Sequence, residues 1–297
     1  MPDIAVWNKC DNRCVMCTNM ASFPAQDSGQ YSLEWQIRKM ERYLRGLGKT
    51  YLKNADDPGF VSLTGGEPTL HPDFFKLISY FRRRLPGISI TLLSNGRRFS
   101  DPGFARRFLR AAAPPFAVGI PLHAGTAALH DRIAGVKGAF AQTVKGLGNL
   151  LAPRSGPEVE IRLVLHRLNI GAFRGTLAFL RRAFRGLRPY RVTAIHYEIE
   201  GMSLENHARL ALRLTDSARA IGAAADLIAG FPDLRLYHFP LCLVPPALRE
   251  KCWTTLPRED RCYPAACRRC RLRPGCPGLM KEYRKAFGAG ELRPLCS

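Results

Sequence analysis

The chain has 297 residues, a formal net charge of +21 and 46% hydrophobic residues, enough for one full α/β domain with a core and a small appendage. No run approaches the ~20 apolar residues of a membrane span, and Met1-Pro2-Asp3-Ile4 lacks the basic start and apolar stretch of a signal peptide. A cytoplasmic location is expected, where ten cysteines point to metal rather than disulfides.

Residues 4–7 read as a short apolar strand running into Cys10, Cys14 and Cys17. Residues 33–47 have helical spacing behind Ser32, a plausible N-cap. Residues 60–64 form a buried strand that ends at Gly65-Gly66. A helix over 72–85 opens with Pro72-Asp73. The strand at 89–93 ends at Ser94-Asn95-Gly96, a turn signal. Helix 102–112 precedes strand 117–122, which closes at His123. Helix 140–151, strand 158–166, helix 171–184 and strand 192–199 follow, then a last long helix over 203–221. Six strands alternating with helices predict an α/β fold with a parallel sheet or partial barrel. Right-handed crossovers would put all strand C-termini on one face, so the special loops after strands one to four converge where such folds bind ligands.

After about residue 231 the composition shifts. Residues 237–297 hold seven cysteines, many prolines and little periodicity. Such a stretch is expected to need a metal to fold. Two domains are expected, at 1–235 and 236–297. The 35 arginines and 10 lysines are spread along the chain, with short clusters at Arg82-Arg83-Arg84, Arg181-Arg182 and Arg268-Arg269. A solvated arginine-rich surface, an acidic peptide and a nucleic acid all suit that charge.

Cys10, Cys14 and Cys17 are spaced C-x3-C-x2-C, with no fourth cysteine or histidine near them in sequence. Structural zinc wants four closed ligands and would have to recruit a distant one. A cubane cluster on three thiolates would leave one iron open. Gly65-Gly66-Glu67-Pro68-Thr69 places two glycines, which permit close backbone approach, beside a carboxylate; it also reads as an ordinary turn. His123 ends the fourth strand, as either a polar ligand contact or a satisfied surface group. On the fifth strand Glu160, Arg162, Val164 and His166 share one face. Arg162 there could meet a ligand carboxylate or pair with Glu160. On the sixth, His196, Glu198 and Glu200 are expected on one face, lining a pocket or forming a buried network.

Together these residues resemble the radical S-adenosylmethionine (SAM) enzymes over about residues 1–235. C-x3-C-x-φ-C with Met16 as φ looks like the cluster motif. Gly65-Gly66-Glu67-Pro68 looks like the SAM-amine motif, and Ser94-Asn95-Gly96 like the ribose-contacting segment. The resemblance implies a partial (β/α)6 barrel. It implies that Cys10, Cys14 and Cys17 ligate a 4Fe–4S cluster whose fourth iron chelates SAM. An electron would then cleave SAM to methionine and a 5′-deoxyadenosyl radical, which removes hydrogen from a substrate. Gly65, Gly66, Glu67 and Pro68 would hold the SAM amine, and Ser94 and Asn95 the ribose. His123 would supply a polar SAM contact, and Arg162 would pair with the SAM carboxylate.

Cys267-x2-Cys270-x5-Cys276 with Cys242 upstream resembles the auxiliary-cluster extensions called SPASM or twitch domains. Met280 stands where that pattern has a further cysteine. One auxiliary 4Fe–4S cluster on Cys242, Cys267, Cys270 and Cys276 is therefore implied, with structural zinc on the same sulfurs as the alternative. Cys252, Cys262 and Cys296 are left over. The C-terminal sixty residues also resemble the radical-SAM maturase of the His-Xaa-Ser peptide system. The substrate implied is a ribosomally made precursor peptide. The partners implied are an electron donor such as flavodoxin or ferredoxin and a separate leader-peptide-binding protein, since no recognition domain is evident before residue 10. RNA or a small cofactor precursor is the alternative substrate. A non-catalytic zinc protein that binds nucleic acid is the alternative class.

Overall fold

The computed structural model describes residues 3–19, 28–45, 47 and 60–296. Residues 1 and 2 of the expected N-terminal reading, and position 46 of the 33–47 helix, lie outside them.

The chain runs β1 (Asp3–Trp7), α1 (Leu33–Leu44), β2 (Phe60–Gly65), α2 (Phe74–Arg84), β3 (Ser89–Leu93), α3 (Pro102–Ala111), β4 (Phe116–Pro121), α4 (Ala127–Ala134) and α5 (Ala139–Leu151). It continues with β5 (Glu158–Leu165), α6 (Phe173–Ala183), β6 (Arg191–His196), α7 (Met202–Glu205), α8 (His207–Leu210), α9 (Leu214–Gly222), α10 (Ala225–Ala229) and β7 (Asp233–Tyr237). Last come β8 (Cys252–Trp253), β9 (Arg261–Cys262), β10 (Leu279–Met280) and α11 (Lys281–Phe287). Strands β1 to β8 form one sheet in sequence order, and every neighbouring pair is parallel. The sheet curls without pairing β8 to β1, an open, partial barrel.

The period-2 pattern explains the layers. Val159, Ile161, Leu163 and Leu165 of β5 are buried, while Glu160 and Arg162 alternate with them on the concave face. Helix α2 buries Phe74, Leu77, Ile78 and Phe81, an i, i+3, i+4, i+7 stripe. Its last turn carries Arg82, Arg83 and Arg84, favourable at the negative end of the helix dipole. Asp101 caps α3, its carboxylate accepting from the Gly103 and Phe104 amides at 2.7 and 3.4 Å, and Pro102 takes the first helical position.

Three expectations need correction. The sheet has eight strands, not six. β7 alternates buried Leu234 and Leu236 with half-buried neighbours and runs across position 235, and β8 pairs with its end. The helix expected over 203–221 is broken into α7, α8 and α9, with Ala211 and Arg213 extended between the last two. Its first part bends away because it bonds to the cysteine loop. The strand expected over 192–199 stops at His196, so Glu198 and Glu200 do not continue its face. His196 instead turns to the helix layer, with Nδ1 2.9 Å from Ser217 Oγ on α9.

The cysteine-rich end packs on the barrel as part of the same core. Leu279, Met280, Tyr283 and Leu292 join the buried cluster. The Leu214 amide donates to the Tyr283 hydroxyl at 2.9 Å, and Glu291 accepts from the Thr215 amide and hydroxyl at 2.9 and 2.7 Å.

Candidate active site at the carboxyl ends of the strands

The loop after β1 carries Cys10, Cys14 and Cys17, and its backbone is held from several sides. The Arg13 and Val15 amides donate to the Ala134 and Ile133 carbonyls at the end of α4, at 2.8 and 3.0 Å. Three consecutive carbonyls on the other side are held by the segment after β6. Asn206 Nδ2 donates to Val15 O at 3.0 Å, Ser203 Oγ to Met16 O at 2.9 Å, and the Met202 amide to Cys17 O at 2.9 Å. Gly201 permits that approach: its φ is +52°, and a Cβ there would lie 2.6 Å from Thr18 O. Sequence reasoning missed this clamp, because Ser203 and Asn206 look like ordinary helix residues.

Gly65 and Gly66 are required by the packing of two backbones. A Cβ on Gly65 would lie 2.2 Å from Trp7 O, and one on Gly66 2.3 Å from Lys9 O. The Gly66 and Glu67 amides donate to those same carbonyls at 2.8 and 2.7 Å. Glu67 is buried and ties the loops together. Its Oε1 accepts from the Thr69 amide at 3.0 Å, the Thr69 hydroxyl at 2.5 Å and the Ser94 hydroxyl at 2.8 Å. Its Oε2 accepts from the Asn95 amide at 2.6 Å. Burial pushes its carboxyl up against these four donors, which favour the charged form. Pro68 opens the short turn Pro68–Leu70 that presents Thr69 to it.

Asn95 reaches back to the cysteine loop, its Nδ2 donating to Asp11 Oδ1 at 2.6 Å. Arg97 joins them, 3.1 Å from Asp11 Oδ2 and donating to Asp11 O and Asn12 Oδ1 at 2.7 and 3.0 Å. Asp11 and Arg97 escaped the sequence reading, although each lies beside a residue it singled out. Thus the loops after β1, β2 and β3 are one hydrogen-bonded unit.

His123 is buried, with Nε2 3.7 Å from Cys14 Sγ. Burial, with His130 and His166 nearby, holds its ring well below the usual histidine range. Arg162 lies across β4, where a Cβ on Gly119 would be 3.1 Å from its Cδ, and its guanidinium meets Glu160 at 2.5 Å. That pair continues as a ladder around the concave face. Arg191 reaches Glu160 at 3.8 Å and Asp233 at 2.7 Å, Arg235 reaches Asp233 at 2.9 Å, and Arg235 lies 3.8 Å over the Trp253 ring. Glu198 pairs with His238 at 3.5 Å.

The donor sets suit clusters. Burial pushes Cys10 up to about 12 and Cys14 further, with Cys17 and Cys10 adding to the rise at Cys14. All three stand on the loop after β1, and such buried thiols ionise when cationic iron supplies the missing charge. Cys242, Cys262, Cys267, Cys270 and Cys276 line one small cavity of about 20 Å³. The four expected ligands, Cys242, Cys267, Cys270 and Cys276, all line this cavity, with Cys262 beside them. Cys276 Sγ also accepts from the Leu241 and Gly278 amides at 3.5 and 3.4 Å. Cys252 is near Cys276 but pushed up to about 12 by burial, and Cys296 is exposed beside Cys270. Among the described residues, no three His, Cys, Asp or Glu side chains are drawn together around a single metal ion.

The family model for the radical SAM superfamily matches residues 4–180. The chain belongs to the radical SAM superfamily. It uses a 4Fe–4S cluster and SAM, as the superfamily does. A mycofactocin maturase, MftC, of Mycobacterium ulcerans is 31% identical over 162 residues, 54% of this chain and 39% of that protein. An AdoMet-dependent heme synthase of Nitratidesulfovibrio vulgaris is 30% identical over 114 residues, 38% of this chain and 29% of that one. The chain thus spans well under half the length of these relatives. Among solved structures, Streptococcus suis SuiB bound to its precursor peptide SuiA superimposes with a TM-score of 0.56 at 15% identity, over 78% of this chain and 47% of that one. Native anSMEcpe with bound AdoMet and a Kp18Cys peptide gives 0.56 at 17%, over 78% and 62%. Among the described residues no helix is long and apolar enough to cross a membrane.

Proposed function

We propose that this radical SAM enzyme abstracts hydrogen from a ribosomally made precursor peptide. The observation that carries the reading is the pairing of a three-cysteine loop at the strand ends with a second cavity lined by five cysteines, the four expected ligands among them. Cys10, Cys14 and Cys17 would hold the SAM cluster. Cys242, Cys267, Cys270 and Cys276 would hold an auxiliary cluster that accepts the electron left after abstraction. When bound there, the cluster and SAM would supply the reductive, hydrogen-abstracting chemistry, and this chain's residues would hold them.

The protein's own residues hold and orient. The Gly65 to Pro68 loop would receive the SAM amine through its backbone, since the Glu67 carboxylate already carries four donors. Ser94 and Asn95 would border the ribose, and His123 and Arg162 the rest of the pocket. The 31% identity over 162 residues to a mycofactocin maturase and the peptide-bound neighbours of the same fold support a peptide. An electron donor such as flavodoxin or ferredoxin, a separate leader-binding protein and a cytoplasmic setting complete the proposal. The relative called a heme synthase favours a small cofactor precursor as second reading.

The test is anaerobic reconstitution with a short peptide encoded beside the gene and, in parallel, a tetrapyrrole precursor. Formation of 5′-deoxyadenosine stoichiometric with a mass change in the peptide supports the first reading. Turnover of the tetrapyrrole alone replaces it with the second.

A further inference from the structure

His123 is seated so that its ring has one direction to face. Its backbone amide donates to His130 Nδ1 at 3.1 Å, and its carbonyl accepts from Asn169 Nδ2 at 3.1 Å. Asn169 is fixed in turn, with Oδ1 accepting from the His166 amide at 2.9 Å and Nδ2 donating to Val164 O at 2.8 Å. The ring of His130 lies 4.9 Å from that of His123. The seat leaves His123 Nε2 at 3.7 Å from Cys14 Sγ, while Nδ1 is buried without a partner.

The tautomer follows from those neighbours. A proton on Nδ1 would be a buried donor with no acceptor, and the Nε2 lone pair would face the thiolate. A proton on Nε2 gives the sulfur a donor and leaves only an acceptor unpaired, the cheaper defect.

We propose that His123 donates an Nε2–H···Sγ hydrogen bond to Cys14 and thereby raises the reduction potential of the N-terminal cluster. Reduction adds negative charge to the cluster and its thiolates, and a donor at a ligand sulfur stabilises the reduced form more than the oxidised one. His123 is on this account a positioning residue acting through Cys14. The inference rests on Cys14 being a ligand of that cluster. Iron and sulfide counts on Cys14→Ala separate a failure of that premise from a failure of the inference.

The experiment is an EPR-monitored redox titration of the anaerobically reconstituted full chain, following the signal that changes when SAM is added. His123→Gln puts an amide donor near the Nε2 position, whereas His123→Asn withdraws it from reach of the sulfur. His123→Asn is expected to lower the potential, cutting the reduced fraction at fixed poise several-fold; a tenfold cut is about 59 mV for a one-electron couple. His123→Gln is expected within about twofold of the parent. Equal potentials for all three, or a fall with Gln as large as with Asn, overturn the proposal. If neither variant folds, ¹⁵N-histidine labelling of the unsubstituted protein decides: a ¹⁵N coupling at the reduced cluster supports the bond, and its absence removes it.

Discussion

Cys10, Cys14 and Cys17 stand on a loop whose backbone is bonded to α4, to the segment after β6 and to the loop after β2. Cys267, Cys270 and Cys276 stand on turns that bond mostly within themselves: the Cys267 amide to Pro264 O, Cys270 to Cys267 O and Cys276 to Arg273 O, at 2.8 to 3.2 Å. The first set is placed by the barrel, from residues up to about two hundred positions away. The second is placed by local chain and by the docking of α11. A site built by the whole fold keeps its shape before loading. A site built of short turns has little besides its metal to hold those turns together.

The strongest test of that contrast is removal of either set. Cys10→Ala, Cys14→Ala and Cys17→Ala together should abolish SAM cleavage and lower the iron content by about four per chain. Alanines at Cys242, Cys267, Cys270 and Cys276 should remove a similar amount of iron and leave SAM cleavage measurable. Limited proteolysis sharpens it further: the second variant should be cut first between 242 and 296, while the first variant keeps that segment protected. Equal protection in both would show that the C-terminal turns stand without metal.

Gly66→Ala comes next in size. Its Cβ would meet Lys9 O at 2.3 Å, a backbone that has no side-chain freedom to yield. Loss of the N-terminal iron with retention of the C-terminal iron is expected, measured by iron and sulfide analysis with EPR. Simultaneous loss of both would break the comparison by showing that the two sites share one folding unit.

Acid probes the core between them. Burial lowers His196 to about 3 and His130 and His166 to about 4. Their folded values lie below the unfolded ~6.5, so the unfolded chain binds more protons as pH falls. The stability they confer is complete above about pH 6.5 and is lost at about 1.4 kcal/mol per pH unit per histidine down to those folded values. The melting temperature should therefore drop between pH 7 and 5. His196 packs on Tyr283 of α11, with ring centroids 5.4 Å apart, so His196→Gln should flatten the drop by one histidine's share, with His123, His130 and His166 still contributing. An unchanged profile would exclude His196 as a source.

Asn206→Ala should have the smallest effect. It removes the bond to Val15 O, worth about 1 kcal/mol. Chelator stripping of the N-terminal iron should become a few-fold faster, and that of the C-terminal iron should not change.

Much of this arrangement was legible in sequence. Strand β3 was read with its observed bounds, and the starts of β1, β2 and β5 fell within one residue, because runs of branched residues end at glycine or asparagine turns. The special loops after strands one to four were assigned to one face by the alternation of strands and helices and the handedness of their crossovers. Strand β7, Asp-Leu-Arg-Leu-Tyr, was missed because its two charges make it read as polar, and β8 because it is only two residues long. The long helix at 203–221 was read whole, because nothing local says that Ser203 and Asn206 bond to carbonyls near residue 16. The role of the two glycines was read as ligand approach; their clearance against Trp7 and Lys9 depends on β1 and β2 being neighbours.

Chemistry and its order along the chain were therefore matters of sequence alone: three thiols without a fourth, a glycine pair with a carboxylate, and a second set of cysteines. These follow from residue type and spacing, which pattern reading detects. Tertiary structure decided which groups are already engaged. Glu67 is a tie between loops, Arg162 is paired with Glu160, and His123 faces Cys14. Those outcomes depend on contacts between strands far apart in sequence, where burial presses polar groups toward partners, and no local pattern records which partner is met.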